Sequence, residues 1–470
     1  MSNIKKNIVL QTVYEVFALI IPFITAPYVS RVLGSTNVGI YSYNYSIINY
    51  FMIFMLLGLD SYGNRAIAKV RNDKNKINQV FSEIFIAHLL ISIIVIAIYI
   101  FYCCTLTGQK QTIAMIQSLY LIGQMLNISW LYKGMEEFRW VILRNMAIKL
   151  IVLMLVFGFV REKDDLLIYI FILALDMFLS QSSLWIIRHK YAKFVRVNIK
   201  GVIQHIKPMT ILFVAIIASS IYCMMDKTML GAYGKLSELG CYEYADKIIR
   251  MPLAVITGVG TVMLSRTANM FGNGKKKEAF STTKIMLKYI TAFSSLMIFG
   301  FLSYGTEFAV LYLGRDYAYT GELLKVLAIT LLFMSWNNVL RTQYYIPQEK
   351  DSTYVLATGM GAFLNIILNV VLIPKMDSLG AAIATVFSYM LVMMVQLYFA
   401  RVDLNGVKLL MINSPFFMLG FLPFLFSYFW KKIFPDNWLG LIIQIIIFSV
   451  EFSIIGILYL WKSCVLAKKK

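Results

Sequence analysis

Along the 470 residues, apolar runs of about twenty positions recur between short polar interruptions. A helix needs roughly 20 such residues to cross about 30 Å of hydrocarbon. Fourteen candidate spans are read, near 8–30, 40–63, 81–103, 113–132, 141–160, 166–187, 209–231, 241–264, 284–304, 321–340, 354–373, 379–400, 412–431 and 439–461. The pattern predicts an all-α polytopic membrane protein. The first run follows "MSNIKK", exceeds the core of a cleavable signal and lacks a small-residue cleavage site, so a retained span is expected.

Composition agrees, with 59% hydrophobic and only 14% charged residues. The formal net charge of +20 would suggest nucleic acid in a soluble chain. Here most Lys and Arg fall in alternate loops, and the richest, "NRAIAKVRNDKNK", "RHKYAKFVRVNIK" and "GNGKKK", share one side. The positive-inside rule then makes both termini cytoplasmic, and no nucleic-acid partner is needed. The five cysteines show no metal-ligand spacing, and His88, His189 and His205 are scattered. No catalytic triad, nucleotide loop, metal cluster or cofactor motif is read, so neither an enzyme nor a cofactor is expected.

An internal repeat is visible. "NVGIYSYNYSI" (37–47) matches "ELGCYEYADKI" (238–248) at an offset of 201, placing Gly39, Tyr41 and Tyr43 on Gly240, Tyr242 and Tyr244. The same offset carries Arg65 onto Arg266. An even number of spans per repeat makes the two halves parallel. The expected layout is two six-helix lobes, 1–205 and 206–405, around a central cavity, with two extra spans and a basic tail in 406–470. Such a layout favours a transporter working by alternating access. A polysaccharide polymerase or lipid-sugar transferase is opposed by the short outer loops, such as "TLTGQKQTI" and "AYGKLSELG".

"IYCMMDKTMLGAYGKLSELGCYEYADKIIRMPLAVITGVGTVMLSR" resembles the seventh and eighth spans of Wzx-type lipid-linked oligosaccharide flippases. "ITAPYVSRVLGSTNVGIYSY" resembles that family's opening, and "NIILNVVLIPKMDSLGAAIAT" its eleventh and twelfth spans. One departure is "MLSR", which lacks the family's proline at the end of span 8. The likeness covers nearly all of spans 1–12 and places the chain beside the MATE antiporters and lipid II flippases of the MOP superfamily. It implies an undecaprenyl-pyrophosphate-linked oligosaccharide, turned across the bacterial inner membrane for O-antigen, capsule or exopolysaccharide assembly. It also implies a polymerase and glycosyltransferases of the same pathway as partners. A MATE-like exporter of organic cations is the alternative, opposed by the basic character of the candidate site.

Ionisable residues inside spans are costly and carry a functional reading by default. A pyrophosphate needs cations, and arginine offers a planar fork to its oxygens. The candidates are Arg31, Lys227, Lys247 and Arg250, with Tyr41, Tyr242, Asn365 and Asn369 suited to sugars. Those tyrosines serve equally well as interface or packing residues. A coupling proton or sodium ion would use a buried carboxylate, and Glu15, Asp60, Asp176, Asp226 and Asp246 are the candidates. Asp246 and Arg250 are i,i+4 and share a helix face, whereas Lys247 points about 100° away. Antiparallel packing of spans 7 and 8 would bring Asp226 and Lys227 level with Asp246 and Lys247. That cluster could equally be a structural clasp. Pro22 and Pro27 in span 1 are expected to allow bending.

Overall fold

A computed structural model describes the backbone over residues 2–468, with side chains described outside 1–16, 19, 138–139, 211–212, 214–223, 407, 460 and 462–470. The described chain is helical almost throughout, and no strand occurs among the described residues. It divides into two compact units, Met1–Thr228 and Met229–Lys470.

The first unit holds α1 (Ser2–Leu56), α2 (Leu59–Val70), α3 (Lys74–Thr105), α4 (Gly108–Met125), α5 (Ser129–Gly134), α6 (Phe138–Phe159), α7 (Leu166–Ser182) and α8 (Leu184–Arg188). It ends in α9 (Ile199–Tyr233), whose last residues belong to the second unit. The second unit continues with α10 (Leu236–Gly272), α11 (Lys276–Leu313), α12 (Ala318–Ala328), α13 (Thr330–Leu340) and α14 (Asp351–Phe399). It closes with α15 (Arg401–Leu404), α16 (Gly406–Met418), α17 (Phe421–Ile433) and α18 (Trp438–Lys468).

Among the described residues, nine helical stretches are long and apolar enough to cross a membrane, or ten with a bent pair over Arg315–Gln348. Their outward faces carry Phe101, Met154, Phe363, Phe429 and Ile446, all well exposed. Polar side chains sit inside instead, among them Gln117, Gln124, Gln343, Asn365, Ser388 and Gln396. This apolar-out, polar-in arrangement suits hydrocarbon, where exposed polar groups find no partner. The chain is a multi-pass membrane protein.

Every apolar run read from the sequence falls on helix, but turns and breaks divide them differently. Spans 1 and 2 merge in α1, broken at Gly34, whose φ of 75° a glycine adopts without steric cost. Pro22 and Pro27 lie upstream of that break, inside the helix. Spans 11 and 12 merge in α14, broken at Asp377 (φ 47°) just after Pro374. Span 4 splits into α4 and α5 because Asn127 Oδ1 accepts from the Ser129 amide at 2.9 Å, replacing a helical backbone acceptor. Span 10 bends by 44° between α12 and α13. Asp73 caps α3, its Oδ1 accepting from the amides of Asn75 and Lys76. The Lys76 amide, with help from Asn75, holds the Asp73 carboxyl below the usual range.

Packing inside the two units runs in parallel. In the first, α4 packs on α1, α3 and α7; in the second, α12 and α13 pack on α10, α11 and α14. Trp130 anchors the first core, its ring 5.7 Å from that of Phe81 and its Nε1 donating to the Asn127 carbonyl. In the second, Trp336 Nε1 donates to Thr291 Oγ1 at 2.9 Å. A smaller cluster of Phe299, Tyr304 and Phe448 fastens α16, α17 and α18 to α11.

Two glycines mark close helix approaches. A Cβ at Gly123 would lie 2.9 Å from the backbone of Phe178 in α7, and one at Gly321 only 2.3 Å from Thr306 Cα in α11. Gly258 faces open space, with nothing within 4 Å. Gly123→Ala and Gly321→Ala are each expected to cost about 1–3 kcal/mol by forcing helices apart. Gly258→Ala should be neutral or stabilising, because alanine favours helix. Thermal unfolding of the detergent-purified variants measures this, and equal effects at all three positions would contradict the packing.

Candidate functional site

The charges of α10 arrange themselves along one helix. Lys247 Nζ lies 2.9 Å from Glu243 Oε1, and Arg250 Nε donates to Asp246 Oδ1 at 2.8 Å. Both pairs are i,i+4 with the acid first, the favourable order. The cationic side chains are 41% and 39% exposed, while Glu243 and Asp246 are 8% and 14% exposed. The carboxylates are therefore sunk in protein and the cations held outward over them. Lys247 also lies 5.3 Å from the centre of the Tyr244 ring. The i,i+4 rule anticipates the Asp246–Arg250 pair, and Glu243 obeys the same rule with Lys247.

Around α10, the Tyr242 hydroxyl is 3.3 Å from Thr385 Oγ1 on α14, and both residues are buried. Asn369 Nδ2 donates to Asn365 Oδ1 at 3.1 Å, one turn apart on α14 and fully enclosed. The Asn365 amide nitrogen has no hydrogen-bond partner. In the first turn of α10, Glu238 accepts from the Ser378 hydroxyl at 2.9 Å, and Lys235, just before the helix, lies between Glu238 and Asp377. This clamp holds the start of α10 against the break in α14.

In the first unit, Arg31 is exposed three residues before the Gly34 break. Nearby, Tyr28 donates to the Val160 carbonyl at 2.7 Å and Asn37 to that of Lys163. Tyr41 is buried in a ring cluster, 5.6 Å from Tyr45 and 5.3 Å from Tyr169, with Tyr120 beyond. Asp60 accepts from Asn127 Nδ2 at 3.2 Å and Ser129 Oγ at 3.3 Å, joining α2 to the start of α5. Asp176 on α7 pairs with Lys149 on α6 at 3.3 Å. Asp226 is buried, Lys227 half-buried, and the adjacent Thr228 donates to Ser46 Oγ at 2.9 Å on α1. The Glu15 side chain lies outside the described residues.

The structure thus groups Lys247 and Arg250 with Tyr242 around α10, and Asn365 with Asn369 on α14. In the first unit Tyr41 and Asp176 both neighbour Tyr120, and Asp60 stands apart between α2 and α5. Pairing of Asp226 and Lys227 with span 8 would join the two units and stays a proposal. Lys149, the partner of Asp176, lies on the preceding helix and carries no local sequence signal, whereas Thr385, the partner of Tyr242, closes the stretch "NIILNVVLIPKMDSLGAAIAT". Among the described residues, no group of three or more His, Cys, Asp or Glu could hold a metal ion.

Solved structures share this helical membrane fold. One titled "Lipid II flippase MurJ, inward closed conformation" matches with a TM-score of 0.76 and 17% identity, over 98% of this chain and 99% of that one. An inward-facing multidrug resistance MATE family transporter of the MOP superfamily matches with a TM-score of 0.63 and 13% identity, over 84% and 95%. At these identities the likeness shows the fold. The sequence model described as "Polysaccharide biosynthesis protein" matches residues 4–271, more than half the chain. The chain belongs to the polysaccharide biosynthesis protein family. A relative from Shigella dysenteriae named "Putative O-antigen transporter" is 25% identical over 84% of this chain and 99% of its own length. The resemblance to Wzx-type flippases read from the sequence is borne out.

The Lys149–Asp176 pair offers a direct test of structural against functional charge. Removing one partner leaves the other partly buried and unpaired, at a cost of about 1–3 kcal/mol. Lys149→Met and Asp176→Leu should each lower the unfolding temperature, and the double variant should recover part of the loss. Additive losses would show that Asp176 serves something other than Lys149.

Proposed function

We propose that the chain is a flippase for an undecaprenyl-pyrophosphate-linked oligosaccharide repeat unit. It turns this unit from the cytoplasmic to the outer leaflet of a bacterial inner membrane, for O-antigen, capsule or exopolysaccharide assembly. The reading rests on membership of the polysaccharide biosynthesis protein family and on the outward cations of α10. A pyrophosphate crossing a low-dielectric region requires positive charge, and bare cations there would be expensive. Lys247 and Arg250 reduce that cost through Glu243 and Asp246, while remaining partly exposed.

In this reading Arg31 and Lys227 add charge, while Tyr41, Tyr242, Asn365 and Asn369, all buried in this conformation, meet sugars by stacking and hydrogen bonding only once the helices rearrange. The lipid tail stays in the bilayer while the headgroup moves by alternating access through fourteen spans in two six-helix repeats, both termini cytoplasmic. A coupling proton or sodium ion would bind at a carboxylate among Glu15, Asp60, Asp176, Asp226 and Asp246. Glycosyltransferases and a polymerase of the same pathway supply and remove the cargo. The MATE likeness carries the fold, and an organic-cation cargo would be repelled by the face that Lys247 and Arg250 present.

Reconstituted protein with a defined lipid-pyrophosphate glycan and a leaflet-exposure readout tests the proposal. A charge-assisted hydrogen bond is worth about 1.5–3 kcal/mol, so Arg250→Glu should slow translocation by about tenfold or more while the protein stays folded. Unimpaired flipping with Arg31 and Arg250 both neutralised would remove the phosphate-site assignment. Export of organic cations without glycan movement would favour the MATE-like reading.

A further inference from the structure

A buried hydrogen-bonded chain lies outside the candidate-site residues described above. The Tyr62 hydroxyl is 2.6 Å from His205 Nδ1, and His205 Nε2 is 2.9 Å from Glu83 Oε2. The three side chains come from α2, α9 and α3 respectively. Glu83 and His205 are both buried, while Tyr62 is partly exposed. Gln79 Nε2 donates to Glu83 Oε1 at 3.0 Å, and Gln204 Nε2 to Oε2 at 3.4 Å. Gly201, one turn before His205, makes room, since a Cβ there would lie 2.4 Å from Glu83 Oε1. The groups facing His205 are thus Tyr62 from α2, Glu83 with Gln79 from α3, and Gln204 on α9 itself. Among the described residues, the imidazole is the basic group within ion-pair distance of this carboxylate.

Two protonation states satisfy this geometry. With a neutral imidazole, Tyr62 donates to Nδ1 and Nε2–H donates to Glu83, leaving one uncompensated negative charge in the interior. A proton taken from bulk water adds to the Nδ1 lone pair, and the Tyr62 hydroxyl rotates to accept from the new N–H. The pair then becomes an imidazolium–carboxylate contact with no net charge, in which both partners of the hydrogen bond are ionised. No donor is stranded in either state, and the partly exposed tyrosine gives the proton its way in. Imidazole is the side chain suited to exchange a proton between about pH 5 and about pH 8.

We propose that Glu83 and His205 form a proton-binding site whose occupancy sets how firmly the first turns of α9 are clasped to α2 and α3. Proton uptake tightens the clasp and proton loss loosens it. Since α9 also bears Asp226 and Lys227, the site couples protons to transport; this coupling rests on the flippase reading, whereas the proton site does not.

The chain has three histidines, so 15N-histidine NMR of the full protein in lipid nanodiscs resolves the site without any cargo. One signal, absent in His205→Gln, is expected to shift on acidification and to lose that response in Glu83→Gln. Hydrogen-exchange protection of residues 199–208, corrected for intrinsic rate, should rise several-fold on acidification in the unaltered protein only. A non-titrating His205, or the same pH response in both variants, overturns the proton site. Should His205→Gln not fold, Glu83→Gln decides by the same criterion. In proteoliposomes, undecaprenyl-pyrophosphate carrying a fluorescent sugar is the probe. Flipping with identical pH dependence in the unaltered protein and Glu83→Gln overturns the coupling. No flipping by the unaltered protein overturns the flippase reading, while the histidine titration still decides the proton site.

Discussion

Hydrocarbon offers a peptide group no hydrogen-bond partner, so each segment that crosses it must satisfy its own backbone. Helix follows, and so does the fate of every polar side chain on those helices. Gln343, Asn365, Ser388 and Gln396 turn inward, while Phe101, Met154 and Phe363 cover the outside. Breaks occur where another group takes over the backbone's role, as Asn127 does between α4 and α5, or where glycine accepts a dihedral that other residues resist, as at Gly34. Close approaches at Gly123 and Gly321 then bring helix backbones into direct contact. Small residues at such crossings are what membrane helices use when no hydrophobic force drives them together.

The same solvent governs the charges. A charge inside a span is tolerated when protein surrounds it and an opposite charge or a donor meets it. Glu243, Asp246, Asp176 and Glu83 are each matched by a cation or an imidazole. The α10 pairs differ from the others in their asymmetry, with the acid buried and the base turned outward. A symmetric buried pair would hold helices together and offer a passing ligand little. The asymmetric one keeps the acid sunk in protein and the base partly exposed.

Much of the site's chemistry was legible where it is local. Asp246 and Arg250 share a face by helical periodicity alone, and the structure joins them at 2.8 Å. Glu243 and Lys247 follow the same rule, so their pairing was equally available from the sequence. Lys149 and Asp176, 27 positions apart, meet only because α6 and α7 pack together. Tyr41 reads as a sugar-stacking candidate from its motif, yet its ring is enclosed by Tyr45 and Tyr169. His205 looked like one of three scattered histidines, and it gained meaning only when α3 brought Glu83 to it.

By itself the sequence determined the solvent, the helical class and the duplicated motif. Each of these is written in composition or short periodicity, and hydrocarbon permits few alternatives. Only the tertiary structure decided where one run breaks into two helices, which carboxylate answers which cation, and which polar groups lie buried together. Those outcomes depend on contacts between helices far apart in the chain. No local pattern encodes them, because each is the shared result of packing several helices at once.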